Sequence, residues 1–326
     1  HQRDEGADGS VGLDASLEEV FRIAREARIP TEIFHLKASG RASWGRMPEL
    51  LAKIGRARAE GLDVGADQYP WAASSNQLAA SLPPWVLEGG TEAMLARLAD
   101  PALRERARAE FLRRADSADW PAGAERILIT GVVAPELVRH QGMTLAAIAR
   151  ERGVDPFTAL LDLLLADRGQ TARVTFGMSE EDVRAALRHP LVAFCTDSGA
   201  RAEDGPFSRQ KVHPRAFASA TRILGHYVRE ERLLSLEEAV RKMTSLPAQR
   251  MGLQDRGLIR AGLAADLVVF DLAAVAEGAT FAQPTRYAAG FTHVAVNGQL
   301  ALDEGRLTEA RPGRFLRGPG WRGSQP

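Results

Sequence analysis

Two histidines and one aspartate in this sequence have the residue types and the surroundings to do chemistry together. His1 opens His1-Gln2-Arg3-Asp4-Glu5-Gly6, His35 opens His35-Leu36-Lys37-Ala38-Ser39-Gly40, and Asp197 lies in Phe194-Cys195-Thr196-Asp197-Ser198-Gly199. Two neutral imidazoles plus a carboxylate are a common set for binding Zn²⁺ and activating its water. Each of the three sits in polar company at the expected exit of a short strand. One strand–helix unit separates His1 from His35, which puts them on adjacent strands of a parallel barrel. Such barrels carry their active groups at the C-terminal ends of the strands. Taken singly, each histidine has an ordinary alternative as a surface or satisfied core residue, and Asp197 one as a strand-end cap.

The elements that must position these groups follow from periodicity. Ser16-Leu17-Glu18-Glu19 has the form of a capping box, with Ser16 as N-cap, and Leu17, Val20, Phe21, Ala24 and Ala27 recur at helical spacing. Pro30 ends that helix, and Thr31 to Phe34 predicts a strand delivering His35. A helix over Met47 to Glu60 follows, then a strand over Leu62 to Ala66 ending in Asp67-Gln68-Tyr69-Pro70-Trp71. Strand, helix, strand with polar exits is the pattern of a parallel α/β barrel.

From 82 to 170 the alternation gives way to a mostly helical insertion, with helices over Thr91 to Arg114 and Leu145 to Leu165 around one strand, Arg126 to Thr130. Val174 to Met178 and Leu191 to Thr196 predict the last barrel strands, with a helix over Ser179 to His189 between them. Further helices are expected over Ala220 to Glu231 and Ser235 to Thr244. The barrel part thus covers 1–256. Residues 257–326 have the texture of a small β-sandwich-like subdomain, with apolar runs at Ala265 to Asp271 and Phe291 to Val296 and a hairpin turn at Asn297-Gly298.

Five segments, the two histidine motifs, Asp67 to Trp71, Thr196-Asp197-Ser198-Gly199 and His213-Pro214-Arg215, resemble the D-aminoacylase (N-acyl-D-amino-acid deacylase) branch of the amidohydrolase superfamily. Lys242 to Ala248, Gly257-Leu258-Ile259, Ala265 to Asp271 and Val296-Asn297-Gly298 continue the resemblance in order through the tail. The resemblance implies the C-terminal portion of a metal-dependent (β/α)8 TIM barrel with a helical insertion and a small C-terminal β subdomain. It implies hydrolysis of the amide bond of an N-acyl-D-amino acid, a small-molecule substrate, with Zn²⁺ as cofactor. His1 and His35 would be metal ligands, and Asp197 the catalytic group that takes a proton from the attacking water and gives it to the leaving amine. Lys37, Tyr69 and Arg215 would hold the substrate's α-carboxylate, a role that suits two fixed cations and a phenol. Cyclic-amide hydrolases of the dihydroorotase or hydantoinase kind are the alternative, against which that carboxylate clamp argues.

The resembled family also has a His-x-His motif and a zinc-binding cysteine on strands before the His1 position, a region this sequence does not contain. Together with the missing initiator Met, that predicts the C-terminal part of a longer enzyme, or an inactive barrel fragment that self-associates through open edges. Cys195 is expected to be a small buried hydrophobe, and Trp71 and Asn76 depart from the family at acyl-pocket positions. Arg3 and Glu5 are candidates to orient His1, and Asp67 reads as a structural acid at a strand end. His213 reads as structural, and His140, His189, His226 and His293 as ordinary residues.

Composition bounds the rest. In 326 residues, 42 basic and 42 acidic side chains balance, which points away from nucleic acid and from a membrane surface as partners. The interleaved acids make the Arg-rich stretch over 91–114 a solvated helix surface. A single cysteine excludes an internal disulfide framework and predicts a reducing, cytoplasmic setting.

Overall fold

The computed structural model describes all residues except 8–10, 115–118, 206–207, 209–210, 319 and 322–326. Its organising layer is a parallel sheet of three short strands, β1 (Thr31–Ile33), β2 (Val64–Gln68) and β6 (Val192–Phe194), in the order β1-β2-β6. Ile33 pairs with Ala66, and Gln68 with Phe194, so the C-terminal ends of the strands face one edge. Every residue of β6 is buried, as expected of a parallel strand covered on both faces.

The helices α1 (Leu13–Ala27) and α2 (Met47–Ala59) cover this sheet. Leu13, Leu17, Phe21 and Ala24 of α1, and Met47, Leu50, Ile54 and Ala57 of α2, are buried at helical spacing around Ile33, Val64 and Val192. Each large side chain so buried contributes about 1.5–3 kcal/mol relative to exposure. Asp182, on α8 (Glu180–Arg188), accepts hydrogen bonds from the backbone N–H groups of Gly45 (2.7 Å) and Met47 (3.0 Å). A carboxylate borrowed from another helix thereby satisfies donors that the start of α2 leaves unpaired.

The start of α1 differs from the capping-box expectation. The helix begins at Leu13, so Ser16 and Glu19 lie inside it. Asp4 supplies the anionic cap instead, accepting from the N–H groups of Gly6, Val11 and Gly12. Ser16 Oγ accepts from Asp4 N (3.0 Å), and Glu19 pairs with Arg3. A tertiary carboxylate took the place that the local Ser-x-x-Glu pattern claimed.

Between β2 and β6 lies the second layer. Strands β3 (Ser74–Gln77), β4 (Ile127–Gly131) and β5 (Ala172–Thr175) form an antiparallel sheet in the order β3-β5-β4. Around it pack α3 (Pro84–Leu87), α4 (Gly90–Ala99), α5 (Pro101–Arg113), α6 (Leu145–Arg152) and α7 (Pro156–Ala166), with Phe157, Leu160 and Leu164 in their core. Asp100, Thr144 and Asp155 cap α5, α6 and α7 through side-chain acceptors. The strand expected over Val174 to Met178 is β5, and it pairs antiparallel here rather than in the parallel sheet. The inserted unit therefore reaches beyond 82–170 at both ends and contains a sheet of its own.

The chain then runs through α9 (Arg215–Thr221), a π-helical stretch over Arg222–Glu230, α10 (Leu236–Met243) and α11 (Ser245–Arg250). Strands β7 (Leu267–Phe270), β8 (Phe291–Val296), β9 (Gln299–Asp303) and β10 (Arg306–Leu307) form a four-stranded antiparallel sheet in the order β10-β9-β8-β7. Asn297 and Gly298, both at positive φ, make the tight turn between β8 and β9. Residues 257–326 were expected to be sandwich-like; the described ones form this single sheet. Among the described residues no helix is long and apolar enough to cross a membrane.

Candidate active site

The three parallel strands deliver their groups to one edge. His35 lies two residues beyond Ile33, Tyr69 follows Gln68 directly, and Asp197 lies three residues beyond Phe194. His35 and Asp197 both hold left-handed backbone, at φ 41° and 45°. Non-glycine residues pay for that conformation sterically, and it persists only where the surroundings impose it. The constraint is visible at His35: its N–H donates to the Asp67 carboxylate at 2.6 Å, and Leu36 N donates to Asp67 O at 2.8 Å. Asp67 is thus within β2 rather than at its exit, and burial raises its pKa while the His35 N–H opposes the shift.

A cavity of about 540 Å³ opens at this edge, and His1, His35, Lys37, Tyr69, Asp197 and Arg215 all line it. The ring of His35 is buried, and its Nε2 stands 2.6 Å from His1 Nδ1. On its other side, Nδ1 faces Glu5 Oε1 at 3.0 Å and Lys37 Nζ at 2.5 Å. The imidazole has two ways to meet these neighbours. With the proton on Nδ1, it donates to Glu5 and turns a lone pair on Nε2 toward His1. With the proton on Nε2, it accepts from Lys37 and donates to His1. Only the first arrangement offers Nε2 to a cation, and a carboxylate behind a histidine is the usual means of selecting it.

Glu5 therefore serves His35 and Lys37 rather than His1. Lys37 Nζ donates to Glu5 Oε1 at 2.7 Å, and Arg3, the other residue expected near His1, turns outward to Glu19. Burial works against the Glu5 charge, yet the contacts with His35 and Lys37 bring its pKa below the ordinary value. Burial lowers the pKa of Lys37, with Glu5 and Asp197 opposing.

Tyr69 is fully buried, and burial raises the pKa of its phenol, so it acts only as a neutral donor. Its hydroxyl is 4.0 Å from Met178 Sδ, a weak acceptor that an oxygen would displace readily. Arg215 stacks its guanidinium 4.6 Å over the Tyr69 ring and places Nη1 2.9 Å from Asp197 Oδ2. The N–H is not aimed along that contact, so Nη1 makes an ion pair without an aligned hydrogen bond. His213 anchors Arg215: its Nδ1 accepts from Arg215 N, and its Nε2 faces Ala73 O, both at 3.0 Å. These partners require a neutral ring with the proton on Nε2. Burial first, then Arg215, push its pKa down to about 3.

Two imidazole nitrogens converging on one point, one backed by a carboxylate, are donors of the kind zinc takes. Nitrogens sharing a tetrahedral zinc stand about 3.3 Å apart, so binding would open the His1–His35 contact. Among the described residues, no group of three or more His, Cys, Asp or Glu could hold a metal ion. Cys195 is half-buried rather than fully buried, and burial followed by Asp67 raises its thiol pKa, which keeps it protonated. Asn76 lines the cavity, whereas Trp71 packs against His213 and Phe281 outside it.

The profile of the Amidohydrolase family matches residues 5–301. The N-acyl-D-glutamate deacylase of Alcaligenes xylosoxydans xylosoxydans is 36% identical over 318 residues, which are 97% of this chain and 53% of that protein. A solved D-aminoacylase mutant in complex with copper chloride superposes with a TM-score of 0.73 at 34% identity, covering 97% of this chain and 55% of that one. The N-acyl-D-glutamate deacylase of Bordetella bronchiseptica, solved with zinc and a phosphonate mimic of the tetrahedral intermediate, gives 0.71 at 32% identity, covering 94% and 54%. The chain spans about half the length of the relatives it matches.

Proposed function

The chain belongs to the amidohydrolase family, and from that premise we propose that it carries the substrate-binding and proton-transfer half of a metal-dependent N-acyl-D-amino-acid deacylase. The observation that carries this proposal is the convergence of Lys37, Tyr69 and Arg215 with Asp197, His1 and His35 on a single cavity. Two cations and a neutral phenol match a substrate carboxylate better than they match a ring amide, which has no anionic oxygen of that kind.

His1 and His35 would hold the cation, with Glu5 keeping the His35 proton on Nδ1. Zn²⁺, when bound, supplies Lewis acidity and eases deprotonation of water. Asp197, as carboxylate, accepts the proton of the attacking water at an oxygen and returns it to the nitrogen of the departing amine. In the absence of substrate its Oδ2 faces Arg215; a bound α-carboxylate would share that guanidinium and leave Asp197 oriented toward the water. Tyr69 donates its hydroxyl to the same carboxylate, and Lys37 supplies a second charge from its buried position.

A second proposal, an associating fragment without turnover, is favoured by the lack of a third metal donor among the described residues. The experiment is hydrolysis of N-acetyl-D-methionine, its L-enantiomer and a hydantoin by the 326-residue chain with added zinc, alongside metal analysis and sedimentation. D-selective turnover supports the deacylase. Hydantoin opening alone replaces it with the cyclic-amide alternative, and zinc-free oligomers without turnover support the fragment.

A further inference from the structure

The wall of the same cavity opposite the parallel strands is cationic in a different way. Most cations lining the cavity are already matched: Arg3 by Glu19, Lys37 by Glu5, Arg41 and Arg126 by Asp119, and Arg215 by Asp197. Arg173 and Arg114 line it too, and among the described residues neither has a carboxylate within ion-pair distance. Arg173, half-buried on β5, donates Nε to Asn76 Oδ1 at 3.0 Å and Nη1 to Ser81 Oγ, both neutral acceptors. Arg114 donates Nη1 to the Ser81 carbonyl at 3.3 Å, so both guanidinium groups reach the same residue. Burial, then the like charge of Arg114, push the Arg173 pKa down. Beside them on β5, the Thr175 hydroxyl is buried without a partner and lines the cavity as well.

A guanidinium held by neutral acceptors, with a second one beside it, is an arrangement that an anion would complete. We propose that Arg173 and Arg114 form a second carboxylate subsite, so that the preferred substrate is an N-acyl-D-amino acid bearing a carboxylate in addition to its α-carboxylate. That second carboxylate belongs either to the amino-acid side chain or to the acyl chain. The inference rests on the deacylase function above and names its substrate class.

The test is equilibrium binding to the full chain by calorimetry. The pairs are N-acetyl-D-glutamate with N-acetyl-D-glutamine, and N-succinyl-D-alanine with N-succinamoyl-D-alanine; N-acetyl-D-alanine is the reference. Each pair differs by one charge at constant shape. The acid should bind about tenfold or more tightly than its amide in one pair, which identifies the source of the carboxylate. Arg173→Gln should bring that ratio to about one, Arg173→Lys should keep part of it, and Arg114→Gln should lower it by a smaller factor. Equal binding of acid and amide in both pairs, with the reference bound, overturns the subsite and leaves the deacylase standing. An unchanged ratio in Arg173→Gln, or in Arg114→Gln should the first variant not fold, overturns it too. Failure of every N-acyl-D-amino acid to bind overturns both.

Discussion

The cavity has two walls built on opposite principles. On the parallel side, β1, β2 and β6 end in line, and each charged group they deliver has a partner: His35 and Lys37 with Glu5, Arg215 with Asp197. On the antiparallel side, β3 and β5 present serines, Asn76 and an arginine without an acid. Paired charges stay fixed and can be exchanged for substrate charges, whereas an unmatched guanidinium favours whatever anion arrives. The comparison teaches that chemistry and selectivity can be assigned to separate sheets, one exchanging its protons and the other reading the substrate's charge.

The sharpest way to break that division is Asp197→Asn. Removing the proton acceptor should lower kcat for N-acetyl-D-amino acids about 10³-fold with little change in KM. A loss under tenfold would take chemistry away from the parallel edge.

Next in size is a pH effect on stability. His213 has a folded pKa of about 3 against an ordinary value near 6.5, so the unfolded chain binds the extra proton between those values. Stability should therefore fall as pH drops from about 6.5 toward about 3, by on the order of 3 kcal/mol. His213→Gln should flatten this slope in urea melts at stepped pH; an unchanged slope would assign the acid sensitivity elsewhere.

A smaller effect is expected at Lys37. Lys37→Met should raise KM about tenfold to a hundredfold, in line with a lost charge-assisted hydrogen bond, while kcat changes less. A drop confined to kcat would move Lys37 from substrate holding to catalysis.

Smallest is Asp155→Ala in the insertion, which removes the cap of α7 and the pair with Arg108. About 1–2 kcal/mol of stability should be lost in denaturant unfolding. Turnover under native conditions should be unchanged, because Asp155 does not line the cavity.

What the sequence makes legible here is what local pattern encodes. The apolar run ending in Phe194 and the helical spacing of Leu50, Ile54 and Ala57 determine where β6 and α2 lie, and polar exits place His35, Tyr69 and Asp197 at one edge. What it hides is partner choice over distance. Ser16 has the local grammar of a cap, but Asp4 fills the role from outside the helix. Glu5 looks like a neighbour of His1, but the return of the chain brings Lys37 and His35 to it. β5 carries the same short apolar signal as a barrel strand, and only its antiparallel pairing with Ser74 to Gln77 reveals the other sheet. Arg173 gave no signal at all, since the absence of an acid around a side chain is a property of three-dimensional surroundings.

The twist in the backbone at His35 and Asp197 has an evolutionary corollary. A chain selected for durability alone would carry glycine at both places, because glycine adopts that geometry without steric penalty. Keeping an imidazole and a carboxylate there sacrifices about 1 kcal/mol apiece. His35→Gly and Asp197→Gly chains should therefore melt no lower than the parent while doing nothing, the mark of positions held by function at the expense of robustness.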